Sequence, residues 1–244
     1  MARQRLDLLL VERGLAETRE KAQRLIRAGA VRVDGRPAAK PGHLHDPAAV
    51  VDVRAPPPFV GRGGEKLQAA FDRFPLHVEG RACLDVGAST GGFTDCLLQH
   101  GARRVYAVDV GRGQLHWRLR QDPRVVAMEG VNARALAPRD LPEAVGFACV
   151  DVSFISLTLV LPAVKDVTAP GGDIVTLIKP QFEAGREQVG RGGVVRDESV
   201  RAAVVARIRA FGEAEAGLEW KGVIPSPLLG PAGNVEFLAW WRRP

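Results

Sequence analysis

Cysteine is scarce in this chain: Cys83, Cys96 and Cys149 are the only three in 244 residues. Their number is odd and no two form a Cys-x-x-Cys pair, which excludes a disulfide framework and a cysteine-built zinc site. Long apolar runs are missing too. No stretch of about 18 apolar residues exists to span a bilayer. The N-terminus, Met1-Ala2-Arg3-Gln4-Arg5, leads into an amphipathic segment and not into an apolar stretch with a cleavage site, so export is not expected. Internal repeats and low-complexity tracts are absent as well. Together these absences point to the cytoplasm, with no membrane association.

What is present is an ordinary globular composition with a basic excess. Apolar residues make up 46%, enough for a sizeable core, and 34 Lys and Arg stand against 28 Asp and Glu for a net charge of +6. Such a balance suits a polyanionic partner.

The first fifty residues predict two short helices and a hairpin. Leu6, Leu9 and Leu10 recur at helical spacing before Gly14, and Thr18 stands where a second helix, ending before Gly29, needs a cap. On that helix Ala22, Leu25 and Ile26 share one stripe, with Arg24 and Arg27 opposite. Val31-Arg32-Val33-Asp34-Gly35-Arg36 alternates apolar with polar around an Asp-Gly turn, a hairpin signal. The cations Arg5, Arg19, Arg24, Arg27, Arg32, Arg36 and Lys40 either form a solvated surface or grip phosphate, which arginine does through two parallel hydrogen bonds. The run Arg5-Leu6-Asp7, Gly14-Leu15, Thr18-Arg19, Leu25-Ile26, Gly29-Ala30-Val31, Val33-Asp34-Gly35 and Lys40-Pro41-Gly42 resembles the S4 RNA-binding domain. That resemblance implies RNA contact by these seven cations.

Ala55-Pro56-Pro57-Pro58 marks a boundary, because successive prolines favour a stiff, extended connection. The expected division is residues 1–54, a linker at 55–60, and a second domain at 61–244. In that second domain, strands expected near 82–86, 104–108, 124–128, 147–151, 173–178, 218–224 and 234–241 alternate with helices. The fold class is therefore α/β, a Rossmann-like, doubly wound, mainly parallel sheet, preceded by a small α+β unit.

Cys83-Leu84-Asp85-Val86 reads as a buried strand running into Gly87-Ala88-Ser89-Thr90-Gly91-Gly92, with a helix from Phe93. Glycines let the backbone approach a ligand, and a helix start presents free N–H groups to a carboxylate. The spacing Asp-x-Gly-x-x-x-Gly-Gly differs from the dinucleotide pattern, and Asp109 ends the next strand, where an acid accepts hydrogen bonds from ribose hydroxyls. The expected cofactor is S-adenosyl-L-methionine, on Asp85, Gly87, Ser89, Thr90, Gly91, Gly92, Phe93, Asp109 and Asn132. Asn132 either meets the adenine or closes a turn, and Asp85 either orients the cofactor's amino group or satisfies loop amides.

Asp151 ends the strand Phe147-Ala148-Cys149-Val150 and Lys179 ends Ile174-Val175-Thr176-Leu177-Ile178, so both aim at the crevice beyond the carboxyl ends of the strands. Lys66 in Gly63-Gly64-Glu65-Lys66-Leu67 and Glu236 in Asn234-Val235-Glu236-Phe237-Leu238, expected in the last strand, would complete a set of two lysines and two acids. Alone, a lysine and an aspartate there could be a structural ion pair. Here the chain resembles the RNA 2′-O-methyltransferases with a Lys-Asp-Lys-Glu tetrad, the FtsJ/RrmJ-like group, and more narrowly the TlyA family over essentially its whole length. The resemblance implies methylation of cytidine 2′-hydroxyls in 16S or 23S ribosomal RNA, with Lys66, Asp151, Lys179 and Glu236 as catalytic residues and ribosomal RNA or subunits as partners.

Other chemistries lack their residues. Asp151-Val152-Ser153-Phe154 is not the Asn-Pro-Pro-aromatic motif of exocyclic amine methylation. Cys149 lacks the motif of a pyrimidine-attacking nucleophile and is expected in the core. His43, His45 and Asp46 have no further metal ligands at suitable spacing, so a turn is expected and no metal. Of Trp240 and Trp241, one is expected to pack while the other covers the sheet edge or stacks on bases. Two rival readings remain: an RNA-binding assembly factor with a vestigial methyltransferase fold, and a membrane-active protein of the haemolysin type, as the family is also labelled. A monomer is expected.

Overall fold

The structure, a computed structural model, describes residues 3–38, 40–53 and 57–244. Residues Met1–Pro58 and Phe59–Pro244 form two compact units. Ala55 and Pro56 of the expected linker lie outside the described residues.

The first unit runs β1 (Gln4–Arg5), α1 (Leu6–Glu12), α2 (Arg19–Arg27), β2 (Val31–Val33), β3 (Arg36–Pro37), β4 (Leu44–His45) and β5 (Val51–Val53). Helix α2 starts where expected: the Thr18 hydroxyl accepts the Lys21 N–H at 3.2 Å. The Asp-Gly turn has positive φ at both residues, 49° at Asp34 and 75° at Gly35, the twist that joins β2 to β3 without splaying them. Asp34 also accepts the Val50 N–H, which seats β5 on the other side of β2 in an antiparallel sheet ordered β3-β2-β5. Leu6, Leu9, Leu10, Ala22, Ile26, Val31 and Val33 close the core, whereas Leu25 is only partly buried. The sequence had shown a hairpin alone; the additional strands β1, β4 and β5 are two or three residues long, too short to show a periodicity.

The second unit runs α3 (Gly63–Arg73), β6 (Ala82–Val86), α4 (Gly92–Gln99), β7 (Arg104–Asp109), α5 (Trp117–Arg120), β8 (Val125–Glu129), β9 (Val145–Val150), α6 (Leu161–Val167), β10 (Thr168–Ile178), α7 (Pro180–Glu183), α8 (Glu198–Ala214), β11 (Glu219–Pro225) and β12 (Phe237–Arg242). The seven strands order as β11-β12-β10-β9-β6-β7-β8. The five from β10 to β8 are mutually parallel, and β12 lies antiparallel to both β10 and β11. Every residue of β6 is buried, as a strand covered on both faces must be. Ala82, Leu84 and Val86 pack into one cluster with Leu161, Val164, Val204 and Ile208 of α6 and α8. Cys83 faces the other cluster, with Leu67, Ala70, Phe93 and Leu97 of α3 and α4. This period-two split puts helices on both faces of the sheet.

Two boundaries differ from expectation: β10 begins at Thr168, ahead of the expected 173, with an irregular register against β9 between Thr168 and Asp173, and β12 begins late. Strand β12 begins at Phe237, so Asn234 and Glu236 precede it. The side chain of Asn234 holds another loop instead, accepting the Val195 N–H at 3.0 Å and donating to the Gly193 carbonyl at 2.8 Å. Trp241 packs in the core and donates to Thr176, while Trp240, half-buried, donates to Asp173. Among the described residues no helix is long and apolar enough to cross a membrane, and no cluster of three or more His, Cys, Asp or Glu could hold a metal.

Candidate active site

The parallel strands deliver their carboxyl ends to one side, and an open cavity of about 820 Å³ lies there, within the range of small-molecule sites. Its lining includes Gly87, Ser89, Asp109, Asn132, Asp151, Ser153, Phe154 and Phe182. Gly87 belongs where it is for two reasons. Its φ is +83°, and a Cβ there would stand 2.4 Å from the Asp151 carbonyl oxygen. The turn after β6 therefore lies directly against the end of β9, where Asp151 donates its N–H to the Val86 carbonyl at 2.9 Å.

All four members of the lysine–acid set meet beside that turn. Lys179 Nζ lies 2.5 Å from Asp151 Oδ1 and donates to Ser153 Oγ at 2.9 Å. Lys66 Nζ, reaching in from α3, donates to Glu236 Oε2 at 2.7 Å and stands 4.0 Å from Asp151 Oδ2. The other oxygen of Glu236 accepts from Gln181 Nε2 at 3.0 Å. Glu236 is wholly buried and Lys179 nearly so, and such charges persist in an interior only when paired. The result is an alternating row, Lys179–Asp151–Lys66–Glu236, whose Asp151 opens onto the cavity.

Asp85 is also wholly buried. Its Oδ2 accepts the Thr94 hydroxyl at 2.6 Å, while Oδ1 has no partner among the described residues. Burial, opposed by the Thr94 hydrogen bonds and reinforced by the charges of Asp151 and Asp109, pushes this carboxyl up to about 7. Asp85 does not itself line the cavity, but Val86 and Gly87, which follow it, do, and a buried acceptor left half-satisfied at that point is suited to a cationic donor. Asp109 takes one N–H on each oxygen, from Ser89 at 2.7 Å and Gly111 at 2.7 Å, which leaves lone pairs on both for hydroxyl donors. Asn132 does close a turn, its Oδ1 accepting the Arg134 N–H at 3.2 Å, and it lines the cavity as well.

Five of the residues assigned to the cofactor from sequence do not line the cavity: Asp85 lies buried behind it, and the other four pack elsewhere. Thr90, Gly91 and Gly92 face the start of α3 and α5: a Cβ on Gly92 would meet the Gly64 nitrogen at 2.8 Å, and one on Gly91 would meet Leu119 at 2.2 Å. Phe93 is buried against Gly63. These positions let α4 press on α3, which carries Lys66. Conversely, Ser153, Phe154, Gln181 and Phe182 were not singled out from sequence. They stood in plain view, two or three residues after Asp151 and Lys179. Phe154 is 89% exposed with φ of +62°, unusual for an aromatic residue, and its ring lies 4.8 Å from that of Phe182. Cys149 is a core residue as expected, its thiol pushed far up by burial.

In the first unit, Arg5 and Arg19 both turn toward the buried Asp7, which also accepts from Gln23. The Arg5 hydrogen bond, with further ones from Gln23 and Arg19, holds the Asp7 carboxyl well below the usual carboxylate range. Arg24, Arg27, Arg36 and Lys40 are exposed and Arg32 is half-buried.

Residues 59–243 match the FtsJ-like methyltransferase model, and residues 4–51 match the S4 domain. The Mycobacterium tuberculosis 16S/23S rRNA (cytidine-2′-O)-methyltransferase TlyA is 50% identical over 98% of this chain and 90% of its own length. Hemolysin A of Brachyspira hyodysenteriae is 42% identical over 96% of this chain and 98% of its own. A solved Streptococcus thermophilus chain named as a hemolysin is 46% identical, with a TM-score of 0.77, covering 100% of this chain and 89% of that one. With the lysine–acid row at the carboxyl end of its sheet and an S4 domain before it, this chain belongs to the FtsJ-like methyltransferase family, among its TlyA and hemolysin A members.

Proposed function

We propose that this protein is an S-adenosyl-L-methionine-dependent methyltransferase acting on cytidine 2′-hydroxyls of ribosomal RNA, in the cytoplasm. The observation that carries the reading is the convergence of Lys66, Asp151, Lys179 and Glu236, drawn from positions up to 170 residues apart, at the mouth of a cavity suited to the cofactor. The TlyA relatives support the choice of substrate.

The residues fit the cofactor group by group. The unpartnered Asp85 oxygen suits an amino cation, the remaining lone pairs of Asp109 suit ribose hydroxyls, and Val110, Val131, Ile155 and Val160 offer an apolar strip for the adenine. Bound there, S-adenosyl-L-methionine supplies an electrophilic methyl on a sulfonium sulfur. The chain must then orient a weakly acidic hydroxyl and receive its proton. Lys179, fixed by Asp151 and Ser153, is placed to orient that hydroxyl, and the proton the hydroxyl gives up would pass to the Lys179–Asp151 pair, whose carboxylate can accept it. Lys66 and Glu236 hold Asp151 in line and balance its charge. Phe154 and Phe182 supply an aromatic face on which the target base can stack. The S4 unit grips RNA phosphate through Arg24, Arg27, Arg32, Arg36 and Lys40, with Arg5 and Arg19 at its buried anchor.

The test is to incubate the protein with methyl-labelled cofactor and isolated small and large ribosomal subunits, then map the modified nucleotide. Label on a cytidine ribose oxygen is expected. Label on a base, or none on either subunit, would overturn the reading.

A further inference from the structure

The tetrad comes from four separate segments, and three of them are joined by the single turn of helix that follows β10. Lys179 ends that strand and Pro180 opens α7. A four-residue helix with proline at its start has almost no stability of its own, so its place must come from side-chain contacts. Three residues at alternate positions provide them, two toward the two ends of the segment that Asp151 begins and one toward Glu236. Lys179 holds Asp151 and Ser153. Gln181 donates to Glu236 Oε1 at 3.0 Å, on the opposite oxygen from Lys66. Glu183 reaches the far end of the loop that Asp151 begins: its Oε2 accepts the Ser156 hydroxyl at 2.7 Å and its Oε1 accepts the Leu157 N–H at 2.7 Å. From α8, Arg207 donates to the Glu183 carbonyl and stands 3.5 Å from its carboxylate.

Neither Gln181 nor Glu183 lines the cavity, so neither is placed to touch a substrate. Both are nonetheless costly residues to hold there. The side chain of Glu183 is 2% exposed, and a buried carboxylate is retained at an energetic cost that an apolar side chain of similar size would avoid. What the cost secures is geometry. The segment from Asp151 to Leu157, which carries Asp151, Ser153 and Phe154, is tied to the Lys179 turn at both of its ends.

We infer that Gln181 and Glu183 are positioning residues for methyl transfer: from one turn they set the placement of the Lys179–Asp151 pair relative to the Lys66–Glu236 pair. The inference rests on the tetrad having the role proposed above. A misplacement of about 1 Å in such a constellation lowers a rate about 100-fold.

The experiment compares the full chain with Glu183→Ala, Glu183→Gln, Gln181→Ala and Ser156→Ala in methyl transfer to ribosomal subunits. It reads kcat and KM separately, together with cofactor affinity by calorimetry and the melting temperature. Glu183→Ala is expected to lower kcat about 100-fold with both KM values within about twofold, and Gln181→Ala about tenfold. Glu183→Gln, which keeps an acceptor for the Leu157 N–H, is expected to recover most of that loss. Ser156→Ala removes one end of the same tie from the other side, so its effect is expected to vanish in the Glu183→Ala background even if Glu183→Ala alone folds poorly. Unchanged kcat in Ser156→Ala and Gln181→Ala, or losses that follow only the fraction of folded protein and are not recovered by Glu183→Gln, would overturn the inference. A wild-type protein inactive on both subunits would instead defeat the proposed function itself.

Discussion

Cofactor binding is expected to be coupled to the ionisation of Asp85. In the free protein, burial pushes this carboxyl up to about 7, so at neutral pH about half the molecules carry it protonated. Only the ionised form can pair its unpartnered oxygen with the amino cation of the cofactor. The apparent dissociation constant should then rise by the factor one plus ten to the power of (7 minus pH). Between about pH 7 and about pH 5.5 that is a weakening of about sixteenfold, or about 1.6 kcal/mol. The cofactor's own α-amino group, with an ordinary value of about 7.7–8.0, loses its charge above that range, so affinity should peak between about pH 7 and 8. The linkage has a second face. The folded chain holds this proton at a pH where the unfolded chain has released it, so stability without ligand falls as pH rises from the ordinary carboxylate range through about 7, and bound cofactor removes that loss. Isothermal titration calorimetry across this range, in two buffers of different ionisation enthalpy, reads both the affinity and the protons released. Asp85→Asn should bind weakly and show a flat profile. An affinity for wild type that is the same at pH 7 and pH 5.5, or a slope that survives Asp85→Asn, would refute the reasoning.

Three further outcomes follow from the geometry. Gly87→Ala should destabilise the second unit by about 1–3 kcal/mol or more and abolish cofactor binding, because its Cβ would meet the Asp151 carbonyl in a left-handed backbone; thermal melting with and without cofactor checks this. Phe154→Ala should leave the melting temperature nearly unchanged, since the ring is exposed, while lowering kcat/KM for ribosomal RNA by about 10- to 100-fold through the lost base stack. Asp7→Ala should destabilise the S4 unit by about 1–3 kcal/mol, and wild type should approach that variant in acid, because a carboxylate held below its ordinary range contributes stability that is lost as pH falls through its folded value; urea unfolding followed at several pH values reads both.

Much of this was readable along the chain because it depends on local chemistry. The Asp34-Gly35 turn, the Thr18 cap, the buried strand before Gly87 and the ends of the strands at Asp151 and Lys179 are set by neighbours within a few residues. The pairing of Lys66 with Glu236 has no such local signal, being made across 170 residues, and only the resemblance of the surrounding motifs indicated it. Where sequence and structure part, a contact distant in sequence is the reason. Glu236 lies ahead of β12, although its surroundings read as strand, because Asn234 is engaged with the loop at Gly193 and Val195. Gly91 and Gly92 read as ligand-binding glycines, and nothing along the chain signals that α5 and the start of α3 also lie against them. Gln181 and Glu183 gave no sign of their ties, since their partners are found only once β12 and the Ser156 loop are folded beside α7.

The most direct measurement on the central claim is single-turnover methyl transfer to ribosomal subunits by Lys179→Ala, with cofactor and RNA affinities measured on the same preparation. A rate at least about 1000-fold below wild type with both affinities retained is predicted. A rate within about tenfold of wild type would mean that the Lys179–Asp151 pair does not receive the proton.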